Sequence, residues 1–259
     1  MKKILVATAL MFGSGTFSYS QTDTLTMVLD NYFDNIGGRD AMNAMEGYKM
    51  SASVDWGGMS IPVEQYRMKD GRRLTMYSFQ GMEFKSDVFD GEVHWGTSQM
   101  TMKPEKSDSE TTENAKRDVG GFPDPFLNME DDGYKAEYLG MESVEGVDCY
   151  KVKLTKKPYL VDGEEQENVE YYFFDDENFV PVCMKSEITS GPMAGSMAVT
   201  SFSDYQEVDG IYFPFALTMG TEDSEGQSLE MTDIEINPDL EDDFFSFPED
   251  DDEAEGAEE

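Results

Sequence analysis

The feature that most constrains this chain is a two-residue turn signal that recurs along it: Asp70-Gly71, Gln80-Gly81, Asp90-Gly91, Glu145-Gly146, Asp162-Gly163, Asp209-Gly210 and Glu225-Gly226. Each pair suits the positive backbone angles of a tight hairpin, and each lies between short runs of alternating polarity. In "YKMSASVDW", Tyr48, Met50, Ala52, Val54 and Trp56 fall on one face and Lys49, Ser51, Ser53 and Asp55 on the other; Gly57-Gly58 then turns the chain into Met59, Ile61 and Val63. In "FSDYQEVDGIYFPF" the residues after the turn place Ile211, Phe213, Phe215, Leu217 and Met219 on one face. Pro214 has no N–H to give to a ladder, which predicts an edge strand, a bulge or a strand end there. The fold class expected is mainly β: a large antiparallel meander forming an unclosed barrel, in one domain over 21–248.

Two places break the period of two. In "DTLTMVLDNYFDNIGG", Leu25, Val28, Leu29, Tyr32, Phe33 and Ile36 follow helical spacing, with Thr22 or Asp23 as cap and Gly37-Gly38 as stop; a shorter helical turn over 39–45 follows. Between Lys103 and Gly133, "SDSETTENAKRDV" offers a capping box at Ser107 and Glu110, and "DPFLNMEDD" offers a helix start with Asp124 as cap and Pro125 in the first position. Short helices interrupting a meander must sit over a sheet face or a barrel mouth, so this interval is the expected lid, with Phe126 and Met129 as its apolar contacts.

The first twenty residues, "MKKILVATALMFGSGTFSYS", read as a secretory leader cut before Gln21, with an apolar run too short to span a bilayer. No cysteine stands at the cut for lipid attachment, so a soluble, exported, monomeric product is expected. The formal charge is −36, and "EDDDEAEGAEE" at 249–259 reads as a disordered acidic tail. That balance excludes a nucleic-acid partner and charge-driven docking on anionic lipid. Cys149 and Cys183 fall on the first and third of three consecutive strand-like runs, about 9.6 Å apart across two strand spacings, which is beyond the ~7 Å reach of a disulfide. Free thiols are expected.

Catalytic chemistry finds little support. His94 is the single histidine and lies in a strand-like run, and no nucleophile elbow is present, so no catalytic residue and no enzymatic activity are expected. Zinc lacks nitrogen and sulfur ligands. "NMEDDG" at 128–133 resembles a calcium loop, but Leu139 stands where the closing acid belongs. No metal or cofactor is expected. What the strands carry in excess is methionine and aromatic side chains, a flexible lining that repacks around varied apolar guests. A wide twisted sheet has a concave face larger than a few short helices can fill. Alternation nominates Met50, Val54, Trp56, Met59, Ile61, Phe84, Trp95, Tyr171, Phe173, Phe213, Phe215 and Leu217 as an acyl-chain cavity.

The order of features also resembles a known family. A leader, a helix ending in "IGG", and strands marked "FQGMEF", "DVFDGEVHW", "GVDCYKVKLT", "VEYYFFDDENFVPV" and "FSDYQEVDGIYFPF" are similar to the exported outer-membrane lipoprotein-sorting family, the LolA-like proteins, over about Thr24 to Pro248. The resemblance implies an unclosed barrel with helices over its open side. It also implies a soluble periplasmic carrier of the acyl chains of lipoproteins or other envelope lipids, with an inner-membrane transporter as donor and an outer-membrane acceptor. An inward arginine on an early strand is expected from the resemblance, with Arg67, Arg72 and Arg73 as unresolved counterparts. The alternative function is an envelope lipid-sensing or protein-interaction module that moves no lipid.

Overall fold

The structure is a computed structural model that describes residues 21–189, 191–224 and 226–248. Residues 1–20 and 249–259, where a leader and an acidic tail are expected, Ser190, Glu225 and the Trp56 side chain lie outside the described residues.

Helix α1 (Gln21–Asn35) and the short α2 (Arg39–Asn43) open the described chain. Six strands follow: β1 (Gly47–Trp56), β2 (Met59–Met68), β3 (Arg73–Phe79), β4 (Met82–Phe89), β5 (His94–Thr97) and β6 (Pro104–Lys106). After α3 (Ser109–Arg117) and α4 (Met129–Asp132) come β7 (Lys135–Val144), β8 (Val147–Val161), β9 (Glu164–Asp175), β10 (Pro181–Glu187), β11 (Met197–Val208), β12 (Ile211–Thr221) and β13 (Gln227–Ile236). All thirteen strands form one antiparallel sheet in the order β6-β5-β4-β3-β2-β1-β13-β12-β11-β10-β9-β8-β7, not closed into a barrel. The topology is two meanders welded where the first strand meets the last, from Tyr48 opposite Ile236 to Val54 opposite Leu229.

The free edges are therefore β6 and β7, and the residues between them in sequence, 107–134, carry α3 and α4. To pass from one edge to the other the chain crosses the open side, so topology alone puts the lid interval over the mouth. Helix α3 packs on both β5 and β8. Its ties to the β8–β9 arm are polar: Asn114 exchanges hydrogen bonds with the Leu160 backbone at 2.7 and 2.8 Å, Glu110 accepts the Asp162 and Gly163 amides, and Arg117 pairs with Glu165 at 2.8 Å.

Several local expectations are corrected. Helix α1 is helical from Gln21, so Thr22 and Asp23 are first-turn residues rather than caps. The cap of α3 is Asp108, whose carboxylate accepts the Thr111 amide at 2.7 Å, while Ser107 turns to His94. Asp124 initiates a single turn, accepting the Phe126 amide at 2.8 Å, and helix begins only at Met129. Pro214 is not on an edge strand, for it lies opposite Tyr205 of β11, but the expected end of pairing beside it is present on the β13 side. It is tolerated because β13 pairs β12 only from Ala216 onward, and the Tyr212 amide donates instead to Ile36 O at the end of α1. The cysteines are as expected: Cys149 and Cys183 are free, buried thiols on β8 and β10 with β9 between them.

The core divides by sheet face. On the inner face Val28, Leu29, Tyr32, Phe33 and Ile36 at α1 pack on Val152, Leu154, Phe174 and Ile211. On the outer face the segment after β13 folds back, and Phe245 is buried with Tyr66, Leu74, Val88 and Trp95. Gly37 holds α1 against the β11–β12 turn: its φ is 117°, and a Cβ there would collide with the Gly210 carbonyl. Gly37→Ala is expected to cost more than ~2 kcal/mol, since neither the backbone angle nor the backbone neighbour can relax cheaply. Equilibrium urea unfolding of the two proteins measures this.

Candidate functional site

The inner face continues beyond the part that α1 covers. Met50, Ala52 and Val54 on β1 share it with Ile61 and Met59 on β2, fixed by the pairs Ala52–Val63, Val54–Ile61 and Trp56–Met59. Tyr77 of β3 lies opposite Val63, and Phe84 of β4 opposite Tyr77. Phe213, Phe215, Leu217, Leu229 and Met231 extend the surface on the other side of β1. Most of the nominated cavity residues thus converge: Met50, Val54, Met59, Ile61, Phe84, Phe213, Phe215 and Leu217. Part of this apolar surface is open, for Met59 is 52% exposed, Met82 49%, Met219 42% and Tyr77 37%.

Three nominated residues are placed elsewhere. Trp95 packs with Tyr66 and Leu74, which alternate with inward Arg67 and Arg73, so it faces outward; its indole N–H donates to Phe245 O at 3.0 Å. Tyr171 and Phe173 also face outward, grouped with Cys149 and Cys183, while their neighbours Tyr172 and Phe174 point in. Alternation fixes which residues share a face but not which face is inside, and β9 carries aromatic side chains on both. Phe126 is buried against Tyr172 and Phe174 at ring distances of 4.9 and 5.5 Å, and Met129 packs beside it, so the lid interval plugs the α1 end of the hollow.

Between β1–β3 and β8–β10 lies a cavity of about 330 Å³ that the sequence reading did not find. Tyr48, Arg67 and Arg73 line one wall, Lys156, Glu170 and Tyr172 the other, and the loop from Asp118 to Pro125 roofs it. Phe122 of that loop stacks on Tyr48 with ring centroids 5.6 Å apart. Lys156 bridges Asp118 and Glu170 at 3.3 and 3.2 Å, and Arg73 binds Asp87 at 2.9 Å and approaches Asp118 at 4.0 Å. Burial works against the Lys156 ammonium, but Glu170 and Asp118 outweigh it and hold its pKa above the usual value. The signal for these residues was present: Arg67 and Gln65 continue the odd-numbered face of Met59, Ile61 and Val63.

His94 links this network to the lid. Its Nδ1 lies 2.7 Å from Ser107 Oγ and its Nε2 3.1 Å from Asp87, an order of contacts like that of a serine hydrolase. The surroundings argue against catalysis. Asp87 is shared with Arg73, and the amides at the start of α3 that would face an oxyanion are met by the Asp108 carboxylate. The arrangement ties the start of α3 to the β4–β5 arm. Among the described residues no group of side chains has metal-site geometry.

A family model described as "Uncharacterized protein" matches residues 127–248. No curated protein matches the chain. Among solved structures, a LolA superfamily protein of Nitrosomonas europaea is 14% identical with a TM-score of 0.52, covering 85% of this chain and 96% of its own. A DUF1329 family protein of Desulfovibrio piger is 16% identical with a TM-score of 0.50, covering 85% and 97%. At such identities the likeness is one of fold: this chain has the LolA-like fold that the sequence motifs suggested. No helix among the described residues is long and apolar enough to cross a membrane.

The lid's hold on α1 is titratable. The Tyr32 hydroxyl donates to Asp124 Oδ2 at 2.6 Å, and burial pushes the Asp124 carboxyl up to about 6 from an ordinary 3.8. The folded state therefore binds more protons between those values, and the stability this supplies is full below pH 4 and lost as pH rises through 6. Asp124→Asn removes the titration and keeps the acceptor. The wild type should lose on the order of 2 kcal/mol relative to this variant between pH 4 and pH 7, after allowance for screening at a side chain that still meets water. Urea unfolding of both proteins across that range measures it, and a constant difference would refute the assignment.

Proposed function

We propose that the protein is a non-enzymatic carrier of acyl chains in the periplasm, exported by residues 1–20, built as one body over 21–248 and ending in a solvated acidic tail. The observation that carries this reading is the uncovered apolar surface of the inner face, where Met59, Met82, Met219 and Tyr77 stay exposed beside buried Ile61 and Val63. Large exposed side chains gathered on a concave face mark a binding surface rather than an unfinished core. The energetics suit such a role: a methylene moved into water costs ~0.8 kcal/mol, so a chain of about fourteen costs ~11 kcal/mol, and acylated molecules do not cross water unaided. Methionine supplies a lining that adapts to different chains and lets them go. The LolA-like fold supports the reading by analogy, and lipoproteins or other envelope lipids are the proposed cargo, passed between an inner-membrane donor and an outer-membrane acceptor.

Native mass spectrometry of protein purified from its own envelope tests the reading: a copurifying acylated species supports it, and repeated absence of lipid favours the sensing or interaction module. A second test uses the open end of the surface. Met59→Glu combined with Met82→Glu replaces two exposed side chains and should leave stability within about 1 kcal/mol of wild type. The pair should weaken displacement of a fluorescent fatty-acid probe more than tenfold, and unchanged probe affinity would place the binding surface elsewhere.

A further inference from the structure

The inner face changes polarity along the strands. On β2 it reads Arg67, Gln65, Val63, Ile61, Met59, and on β3 it reads Arg73, Thr75, Tyr77, Phe79. The register sets Arg67 opposite Arg73 and Val63 opposite Tyr77, so the cationic ends coincide and the apolar ends coincide. From Arg67 to Met59 the strand spans eight residues, ~26 Å. The interior thus has a head end and a tail end.

The head end is charged against the trend of the chain. The sequence holds 55 acidic residues against 19 Lys and Arg, yet the cavity at this end is lined by five cations, Arg67, Lys69, Arg72, Arg73 and Lys156, and two carboxylates, Asp118 and Glu170. Four of the five have acidic partners: Lys69 with Glu46, Arg72 with Asp70, Arg73 with Asp87, and Lys156 with Asp118 and Glu170. Arg67 has no carboxylate within ion-pair distance among the described residues; burial works against its charge, but its hydrogen-bond partner Tyr48 and the more distant Asp118 and Asp87 outweigh that and hold its pKa above the usual value. Two guanidinium-bearing residues directly opposite on adjacent strands repel each other, and Arg67 meets its nearest carboxylates, Asp118 and Asp87, only beyond ion-pair distance. An anion placed between them relieves the repulsion and gives Arg67 a direct ionic partner.

We propose that this cavity is a head-group site, which takes the anionic group of an amphiphile, phosphate or carboxylate, against Arg67 while the acyl tail runs along β1–β4 towards Met59. The proposal rests on the acyl-binding reading and adds selectivity to it. An apolar trough alone binds any chain of the right length; Arg67 makes the protein discriminate by head group, because an anion gains charge-assisted hydrogen bonds that a hydroxyl head does not. Attraction arises only at short range, since the protein's net negative charge repels anions at a distance.

The test is isothermal titration of the full mature chain with palmitoyl-lysophosphatidylglycerol, with monopalmitoylglycerol of the same chain length, and with inorganic phosphate. The wild type should bind the anionic lipid at least tenfold more tightly than the neutral one at low salt, with the ratio shrinking as salt is raised. Arg67→Gln should bring the ratio close to one, and Arg67→Lys should keep part of it. A wild-type ratio near one, or a ratio untouched by Arg67→Gln, overturns the head-group site while leaving the acyl trough in place. Inorganic phosphate binding as tightly as the anionic lipid shows a free-anion site and also overturns it. If neither lipid binds, the carrier reading fails as well.

Discussion

The pairing of β1 with β13 is the contact on which the rest of this architecture depends. Each meander alone would be a twisted sheet with an exposed first or last strand, and neither would enclose anything. Joined by this ladder they become one surface wide enough to curl, with β6 and β7 left as free edges. Because the chain must travel between those edges, the 107–134 segment is compelled to lie across the opening. The position of α3 and α4 is a consequence of where the two meanders meet, and no separate signal is needed to place them.

Two kinds of bond hold that segment, and their strengths differ. Helix α3 is fixed by hydrogen bonds and ion pairs near the surface, with Asn114, Glu110 and Arg117 on one arm and Ser107 with His94 on the other. Exposed pairs of this type are each worth about 0.2–1 kcal/mol and can be exchanged for water. The turn after Asp124 is fixed by Phe126, whose burial among Tyr172 and Phe174 is worth about 2–3 kcal/mol. Opening over α3 is therefore cheap and opening over Phe126 is not, which makes Phe126 a plug at the α1 end and leaves the α3 end as the more mobile cover.

Much of the fold was legible because hairpin turns and alternating strands are local. The Asp-Gly and Glu-Gly pairs marked the turns, and the "IGG" stop marked the end of α1. The welding of β1 to β13 was not legible, since nothing local says which distant strand an edge will meet. The site was partly readable for the same reason. On β2 the parity of Met59 and Ile61 leads to Val63, Gln65 and Arg67 without any structural knowledge. Trp95, Tyr171 and Phe173 went to the other face because alternation gives two sets per strand, and choosing between them needs the packing partner. For Trp95 that partner is Phe245, 150 residues away, in a segment whose short aromatic run has neither strand nor helix period.

The distribution of charge separates the inside of this protein from its outside. A chain at −36 is repelled by anionic membranes and by other copies of itself, which, for the carrier proposed, would keep the loaded protein dispersed and limit its residence on an anionic bilayer. The interior places Arg67, which has no ion pair of its own, between walls of low dielectric, so the proposed anionic head would be stabilised there and little affected by the external field. A protein built this way does not collect amphiphiles by long-range attraction and does not linger on lipid. Under the proposed function it would gain its ligand only when a membrane or a partner presents one at the mouth, and release would require the same contact, because the free energy of leaving for water is set by the acyl chain. Directionality would then lie in which partner opens the α3 end, not in any difference of affinity within the carrier itself.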